Sequence, residues 1–338
     1  MSAPLSVAPR SAGTGRARGQ RLVVGALVAA LVLLLGAGWL LWDNRRLVVT
    51  EQAVEVAAIP EGGLRIAHVS DLHAADHGDF LDRLAAEIEQ RDVDLVALTG
   101  DLIDMRTADL GSVLDLAEHL SAVAPTFFVL GNHEGDSALR EELLAGLEDA
   151  GVRILRDEVT SLEIRGTEVT VAGLEDRRVA VVDGRTPAQP AAVLDRLALE
   201  PAPGPTVLLA HRPEFLAQYA DHGADVVLSG HAHGGQVRLP LVGPLFAPHQ
   251  GWLPALTEGV HRQGDTAMVI SRGLGNSVVG VRVNNPRELV VVDLVQESPQ
   301  GSRRGEEPCS ALDAVGDAEA VGGAGLERDE AVLGDGGL

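Results

Sequence analysis

The sequence contains no lysine and a single cysteine, and only 3% of its 338 residues are aromatic. Because Cys309 stands alone, the chain can form neither an intrachain disulfide nor a metal site built on several thiolates. Its 27 basic residues, all arginine, are outnumbered by 49 acidic residues, which gives a net charge of −22. Such a chain lacks the basic surface typical of nucleic-acid binding. We therefore expect no nucleic-acid partner, and a small ligand or a cation instead.

The chain is long and apolar enough to bury a substantial core, since 46% of its residues are hydrophobic. Its charge is unevenly distributed: residues 1–46 carry a net charge of +5, residues 47–296 carry −20, and residues 297–338 carry −7. The last stretch is rich in glycine, alanine and acids and has little hydrophobic periodicity, which is typical of a disordered tail. The sequence thus predicts a folded acidic middle followed by a disordered acidic tail over 297–338.

A long apolar run lies near the N-terminus. Residues 23–42, VVGALVAALVLLLGAGWLLW, carry no charge and as a helix would span about 30 Å, which predicts one transmembrane anchor. Trp39 and Trp42 suit the membrane interface. Because four arginines lie in the basic segment 1–22, the positive-inside rule predicts a cytoplasmic N-terminus and a single-pass cell-membrane protein whose remainder is extracytoplasmic. A cleaved signal peptide shares these features and stays open as the alternative.

After a juxtamembrane segment, 43–63, short apolar runs alternate with helical patterns. Buried strands are predicted over 64–70, 95–99, 126–130, 207–210 and 225–229. Helical spacing covers 80–90, 110–122 and 137–150, and Gly151 is the expected C-cap of the last helix. Further strands are expected within 152–172 and 268–294. The alternation predicts a layered α/β domain over 64–296.

Each of the five predicted strands is followed by residues that can bind a metal or transfer a proton. These residues are Asp71 and His73, Asp101, Asn132 and His133, His211, and His231 and His233. In open α/β sheets, sites are built in the crevice outside the carboxyl ends of the strands. The sequence therefore predicts that these side chains meet at one edge of the domain.

The ligand types indicate which metals the site would hold. Carboxylate, imidazole and amide groups without sulfur suit divalent ions, with Mn, Fe or Zn favoured. Seven candidates are too many for one tetrahedral site and fit two ions that share a bridging carboxylate. Such a two-metal centre generates hydroxide from water at neutral pH and clamps the attacking and leaving oxygens at phosphorus. The expected cofactors are therefore two divalent metal ions.

Five sequence blocks resemble those of the calcineurin-like metallophosphoesterases, in the same order. They are DLH at 71–73, GD at 100–101, GNHE at 131–134, His211, and GHAHGG at 230–235. The resemblance covers residues 64–294. It is strongest to a membrane-associated bacterial branch that includes phosphodiesterases acting on UDP-2,3-diacylglucosamine. The fold that it implies is a four-layer α/β/β/α sandwich of two mixed sheets.

The resemblance also implies a role for each residue. One ion is held by Asp71, His73 and His233, the other by Asn132, His211 and His231, and Asp101 bridges the two. His133 faces the substrate, where it stabilises charge on phosphorus oxygens or protonates the leaving oxygen. Residues i and i+2 of a strand share a face. We therefore expect a glycine-flanked loop to let His231 and His233 reach different ions.

The expected function is hydrolysis of a phosphodiester or pyrophosphate bond by metal-activated hydroxide in a membrane-anchored enzyme. The substrate is a phosphoester, with a lipid-linked or nucleotide-sugar compound suggested by the anchor and the resemblance. A phosphomonoesterase or protein phosphatase on the same centre stays open as an alternative. So does a metal-binding membrane module without catalytic activity. The oligomeric state is not predicted.

For several other residues, a structural role competes with a functional one. Glu134 is expected to cap the following helix rather than to catalyse. Arg272 and Arg282 fit either a substrate phosphate or a surface ion pair. The apolar, proline-rich stretch 239–253 fits either a loop that covers the core or a lip that faces acyl chains or a membrane. No role is assigned to His68, His119, His222, His249 and His261.

Overall fold

Short buried runs and amphipathic segments of the sequence form two sheets with helices outside them. A computed structural model of the chain describes residues 13–57, 59, 62–74, 79–199, 203–276 and 280–297. Cys309 and nearly all of the predicted disordered tail lie outside these residues, as do the first twelve residues of the predicted basic N-terminus.

The strands and helices have the following bounds. The strands are β1 (Leu47–Val56), β2 (Leu64–Val69), β3 (Leu95–Leu98), β4 (Thr126–Phe128), β5 (Arg153–Ile154), β6 (Glu158–Ile164), β7 (Thr167–Leu174), β8 (Thr206–Ala210), β9 (Val226–Ser229), β10 (Arg238–Leu239), β11 (Gly243–Pro244), β12 (Phe246–Ala247), β13 (Gly251–Trp252), β14 (Gly259–Gln263), β15 (Thr266–Ile270) and β16 (Arg287–Gln296). The helices are α1 (Gly13–Asp43), α2 (Phe80–Glu89), α3 (Gly111–Val123), α4 (Asn132–Asp136), α5 (Arg140–Asp149), α6 (Arg177–Val182), α7 (Pro190–Leu197) and α8 (Leu216–Ala220).

Both large sheets are mixed and have six strands. The first has the order β1-β16-β2-β3-β4-β5, in which β2 to β5 run parallel and β16 is antiparallel to β2. The second has the order β14-β15-β9-β8-β7-β6, in which β15, β9, β8 and β7 run parallel. Parallel central strands place their carboxyl ends at one edge of each sheet, which is where the candidate site lies.

Three hydrophobic clusters define four layers. Side chains of α2, α3 and α5 pack on one face of the first sheet, as Leu84 and Phe128 illustrate. The opposite face, including Ile66, packs against Leu209 and other residues of the second sheet. Helices α7 and α8 cover the outer face of the second sheet. The predicted α/β/β/α sandwich of two mixed sheets is therefore confirmed.

The structure differs from the predicted organisation at the start of the domain. The sequence predicts 43–63 as a juxtamembrane segment, but Leu47–Val56 pairs with β16 along ten residues, from Leu47 with Arg287 to Val56 with Gln296. The strand lies at the sheet edge, where only Val54 and Val56 are buried and its other positions are half-buried or exposed. This weak hydrophobic signal explains why the sequence does not reveal it. The sheet therefore begins before the predicted boundary at Leu64.

The predicted helix over 137–150 corresponds to α5, which begins at Arg140. A separate short helix, α4, precedes it and contains Asn132 and His133. Gly151 follows α5 with a φ of +85° and donates its N–H to the Glu148 carbonyl, which confirms the predicted C-cap.

Helix α1 contains the predicted anchor. Arg21–Asp43 is long and apolar enough to cross a membrane, and its side chains are exposed apart from those at the C-terminal end. Asp43, in contrast, is completely buried and accepts hydrogen bonds from Arg46 Nε and the Asn285 backbone N–H. The end of the helix is thus fixed to the folded domain.

Candidate active site

The seven predicted ligands meet between the two sheets. Asp71 and His73 follow β2, Asp101 follows β3, and Asn132 begins α4 just after β4. The second sheet contributes the others: His211 follows β8, and His231 and His233 follow β9. All but Asn132, which is half-buried, are buried. The structure therefore brings together residues from five strand ends, as the sequence predicts.

The backbone leaves each strand sharply at these positions. Asp71, His73, Asp101, His231 and His233 have φ values of 53°, 49°, 54°, 65° and 48°. This left-handed region is uncommon for residues with a side chain, and strain of this kind is concentrated at functional sites. The two histidines of the HAH motif both leave the strand direction, so they reach different parts of the site. The loop that the sequence predicts here is present.

Two glycines permit the close approach of these turns. A Cβ on Gly131 would stand 2.2 Å from Asp101 Oδ1, and one on Gly230 would stand 1.9 Å from Ser70 Oγ. Any side chain at either position would push the strand ends apart. The glycines of the GNHE and GHAHGG blocks are therefore steric requirements of the site.

Four ligand atoms converge at the first cluster, formed by Asp71, His73, Asp101 and His233, and all lie within 4.8 Å of one another. His73 Nε2 and His233 Nε2 are 3.1 Å apart, and His233 Nε2 is 3.2 Å from Asp71 Oδ1. Ser70 Oγ donates to Asp71 Oδ2 at 2.7 Å, which orients this carboxylate.

The second cluster consists of Asp101, His211 and His231, whose ligand atoms also lie within 4.8 Å of one another. His211 Nε2 is 3.1 Å from Asp101 Oδ2 and 3.2 Å from Asn132 Oδ1. His211 Nδ1 lies 2.8 Å from the Thr99 carbonyl, and a ring N–H there directs Nε2 into the site. Asp101 belongs to both clusters, which is the position expected of a bridging ligand.

Charge pairing dominates the titration of Asp101 and His211. Burial alone would raise the pKa of Asp101 and lower that of His211. Their attraction outweighs burial, so the pKa of Asp101 is well below its usual value and that of His211 rises to about 10. The pairing with Asp101 thus favours a protonated His211, and metal binding through this ring would release the proton.

Burial favours the neutral form of the other three imidazoles in the two clusters, those of His73, His231 and His233. Burial lowers the pKa of His73 to about 4, and it lowers those of His231 and His233 well below the ordinary value. Neutral imidazole is the form that binds metal ions. His73 Nδ1 is buried and has no hydrogen-bond partner among the described residues. Buried carboxylates and neutral imidazoles directed at two common points form a donor set that fits divalent cations.

Comparison with known proteins agrees with this geometry. The profile of the calcineurin-like phosphoesterases matches residues 64–235, which contain all seven candidate ligands. The chain belongs to this family. It is accordingly a hydrolase that acts on phosphoester bonds, in a family that depends on divalent metals.

Relatives from several organisms share most of the domain. The metallophosphoesterase YkuE of Bacillus subtilis is 29% identical over 256 residues, which cover 72% of this chain and 84% of YkuE. The phosphodiesterase YaeI of Escherichia coli is 32% identical over 238 residues, covering 68% of this chain and 82% of YaeI. Among solved structures, an archaeal phosphodiesterase with 16% identity covers 68% of this chain and all of its own, with a TM-score of 0.36. The more specific resemblance to UDP-2,3-diacylglucosamine hydrolases stays a prediction.

His133 and Glu134 differ in burial within the family's GNHE block. The half-buried His133 lies edge-on to His73, with ring centroids 4.7 Å apart, and its backbone N–H donates to Asp101 Oδ1 at 2.8 Å. Glu134 is fully buried and accepts backbone N–H groups of Gly131, Asp101 and Ile103. Burial, reinforced by the charge of Asp101, raises the pKa of Glu134 to about 7. Glu134 thus caps α4, as expected, and also holds the turn after β3.

His249 is a site residue that the sequence does not reveal. No role is expected for it, yet its Nδ1 lies 3.0 Å from His231 Nε2 and the two rings stack. Arg212 Nη1 contacts His249 at 3.0 Å, while Arg212 also forms a two-point ion pair with Asp176. His249 lies far along the chain from any predicted strand end. Its only sequence signal is its place in the unusual 239–253 stretch.

Arg282 has neither of the two roles considered for it. It is completely buried, so it is not a surface ion pair, and its Nη2 lies 3.2 Å from His233 Nδ1. Its Nη1 and Nε donate to the carbonyls of Arg272 and Gly275. Arg272 pairs with Glu288 at 2.7 Å, and hence does not face the site as a free cation. Arg282 therefore supports the first cluster from behind.

Proposed function

We propose that the chain is a membrane-anchored, binuclear metal-dependent phosphoesterase that hydrolyses a phosphodiester or pyrophosphate bond. The observation that carries this proposal is the position of Asp101, whose carboxylate belongs to both ligand clusters. The arrangement supports one ion held by Asp71, His73 and His233, and a second held by Asn132, His211 and His231. Carboxylate and imidazole ligands favour Mn, Fe or Zn.

Divalent ions at such a centre supply a nucleophile from water at neutral pH and neutralise charge on phosphoryl oxygens. The protein contributes by holding the ligand groups in fixed positions. Asp101 is held by the backbone N–H of His133 and by His211, and Glu134 holds the backbone of Asp101 itself. Because these groups are buried and already oriented, little reorganisation is required during the reaction.

His133 is the proposed substrate-facing residue. Its ring adjoins His73 of the first cluster, and the side chain is only half-buried, which leaves it accessible to a substrate. In this position an imidazole can donate a hydrogen bond to a phosphoryl oxygen or a proton to the leaving oxygen. The Asp101 carboxylate fixes the backbone of His133 and thereby the direction of its side chain.

The membrane anchor is supported by α1 and by a relative. A Danio rerio protein named as a transmembrane protein with a metallophosphoesterase domain is 26% identical over 258 residues, which cover 73% of this chain and 57% of that protein. The arginine-rich start of the chain supports an extracytoplasmic catalytic domain. A phosphodiester is favoured because the relative YaeI is named a phosphodiesterase. A lipid-linked or nucleotide-sugar substrate is consistent with this location.

The test uses the full chain in detergent, treated with EDTA and then reloaded with Mn. We expect hydrolysis of bis(p-nitrophenyl) phosphate to disappear on chelation and to return with Mn. Asp101→Asn should not recover activity, whereas Asp115→Asn, at an exposed position of α3, should behave as the unmodified chain. Mn-dependent turnover that Asp101→Asn leaves unchanged would refute the proposal.

A substrate panel then separates the alternatives. Faster hydrolysis of p-nitrophenyl phosphate than of the diester would indicate a phosphomonoesterase on the same centre. Bound Mn without turnover of diesters, monoesters or UDP-sugars would indicate a metal-binding module without catalysis.

A further inference from the structure

The stretch 239–253, here called the apolar lip, does not cover the core. It contains the β10–β11 hairpin except Arg238 and the whole β12–β13 hairpin, and most of its large apolar side chains are exposed. The exposed members are Leu239, Leu241, Val242, Phe246, Trp252 and Leu253. Leu241 is fully exposed and Trp252 is 77% exposed, whereas Ala247 is buried. Phe246 and Trp252 lie edge to face with ring centroids 5.7 Å apart, and exposed large apolar side chains that cluster on a surface mark an interaction site.

The lip is firmly attached to the catalytic centre. Pro244 lies so close to the turn after His233 that a Cβ on Gly235 would stand 2.3 Å from the proline ring. The Leu245 N–H donates to the Val237 carbonyl at 3.0 Å, and the Leu253 N–H donates to the Leu245 carbonyl at 2.9 Å. His249, within the lip, contacts His231 of the second cluster. The lip therefore forms one border of the active site.

The base of the lip and the end of α1 both contact the 280–285 segment. Gln236 Nε2 donates to the Val281 carbonyl, and the segments carrying Val237 and Val283 pair as an isolated parallel bridge. Val281 is itself exposed and lines a surface depression with Leu40 and Leu41 of α1. Each strand of the β10–β11 hairpin has only two residues, and a strand rises about 3.3 Å per residue. The tip of the hairpin therefore lies close to this bridge.

Hydrogen bonds fix the helix end in this place. Asn44 Nδ2 donates to the Arg282 carbonyl, the Arg282 N–H donates to Asn44 Oδ1, and both distances are 2.7 Å. Arg287 Nε donates to the Asn44 carbonyl at 2.9 Å. The helix end is thereby held against the 280–285 segment on which the base of the lip also rests.

We propose that the apolar lip is a membrane-docking surface, which inserts Leu241 and Trp252 into the same bilayer that α1 crosses. The lip and the end of α1 are both fixed to the 280–285 segment, so the exposed side chains of the lip are held beside the proposed anchor. This position selects lipid as the occupant, because burying such side chains in an acyl layer is favourable. The proposal rests on the membrane anchor of the proposed function. Its consequence is that the active site opens at the level of the lipid headgroups.

The chain supplies its own probe, because Trp252 is one of only three tryptophans. The full chain with Trp39→Phe and Trp42→Phe, reconstituted in phosphatidylcholine nanodiscs, carries Trp252 as its single emitter. We expect acyl chains brominated near the headgroup to remove most of its emission, and aqueous iodide to have little effect. The matched chain with Trp252→Phe reports on Trp39 and Trp42 in the same nanodiscs. Circular dichroism verifies that each variant is folded.

The outcomes separate the lip from the anchor. One outcome would overturn the lip proposal alone. In it, iodide quenches the emission of Trp252 and brominated lipid does not, while brominated lipid quenches Trp39 and Trp42. Emission protected from both quenchers would also overturn it, in favour of a protein partner or a second copy of the chain. If the lipid quenches none of the three tryptophans, the membrane anchor fails, and the lip proposal fails with it.

Discussion

Single residues at this site serve more than one purpose, and Asp101 is the clearest example. Its Oδ2 approaches His211 while its Oδ1 accepts the N–H of His133. The same carboxylate therefore joins the two ligand clusters and sets the position of the proposed substrate-facing residue. A change at Asp101 should consequently affect metal binding and catalysis together, whereas a change of the His133 side chain should affect catalysis alone.

His133→Asn should lower kcat while leaving bound Mn unchanged, because the ring adjoins the first cluster without belonging to either one. General acid catalysis contributes roughly 10²–10⁴-fold. We expect the loss to be larger for an alkyl phosphodiester than for a nitrophenyl ester, since the alkoxide leaving group depends more on protonation. Kinetics with both substrates, together with metal analysis, test this. An equal loss on both would show that His133 does not protonate the leaving oxygen.

His68 should make the stability of the domain sensitive to acid. Its side chain is completely buried beside Thr99, and burial lowers its pKa from 6.5 to about 3. Between these values the unfolded state binds a proton that the folded state excludes, so stability falls as the pH decreases. At pH 5 the cost is roughly 2 kcal/mol relative to pH 8.

The variant His68→Asn cannot take up this proton. Its free energy of unfolding, measured relative to that of the unmodified chain, should therefore be roughly 2 kcal/mol higher at pH 5 than at pH 8. Urea unfolding in EDTA at both pH values measures the difference without interference from metal. A difference in unfolding free energy that stays constant with pH would contradict the assignment.

At the scale of elements, Glu134 connects the turn after β3 to the start of α4. Its carboxylate accepts N–H groups of Asp101 and Gly131 at 2.8 Å and of Ile103 at 3.2 Å. Glu134→Ala leaves three buried donors unpaired, and at about 1 kcal/mol or more for each the expected loss of stability is at least about 3 kcal/mol. Urea unfolding monitored by circular dichroism measures this loss.

Glu148→Ala is the matched control, because Glu148 lies exposed on α5. It should change the free energy of unfolding by less than about 0.5 kcal/mol. Similar small effects for both variants would mean that the Glu134 carboxylate does not hold the two elements together.

Strand β1 should be indispensable, although the sequence predicts it as part of a juxtamembrane segment. It pairs with β16 over its whole length and contributes Val54 and Val56 to the core between the sheets. A chain that begins at Asp43 should therefore be soluble and monodisperse, while one that begins at Leu64 exposes the edge of β16 and should aggregate. Size-exclusion chromatography distinguishes them, and a monodisperse chain from Leu64 would refute the role of β1.

The elements that the sequence predicts well share one property, a local signal. Buried strands read as apolar runs, and the ligand types stand directly after them, so Asp71, Asp101 and His211 could be predicted as neighbours. His249 and Arg282 could not, because their contacts with His231 and His233 are made by segments that the fold brings back from elsewhere. The sequence does not predict strand β1, because the strand is half-exposed at the sheet edge and closely follows the apolar anchor.

For the whole molecule, the net charge of −22 does not exclude an anionic substrate. Part of the negative charge consists of the two carboxylates directed at the clusters, Asp71 and Asp101. Two divalent ions would add about +4 at that point and reverse the local potential. An acidic chain is therefore compatible with the proposed hydrolysis of an anionic phosphoester.

The central claim is that two ions share the Asp101 carboxylate, and electron paramagnetic resonance of the Mn-loaded full chain tests it most directly. The account predicts the spectrum of an exchange-coupled Mn pair in the unmodified chain. Asp101→Asn should give the spectrum of isolated Mn with a lower metal content and no diester hydrolysis. An active, fully loaded chain that shows only isolated Mn would contradict the shared-carboxylate centre.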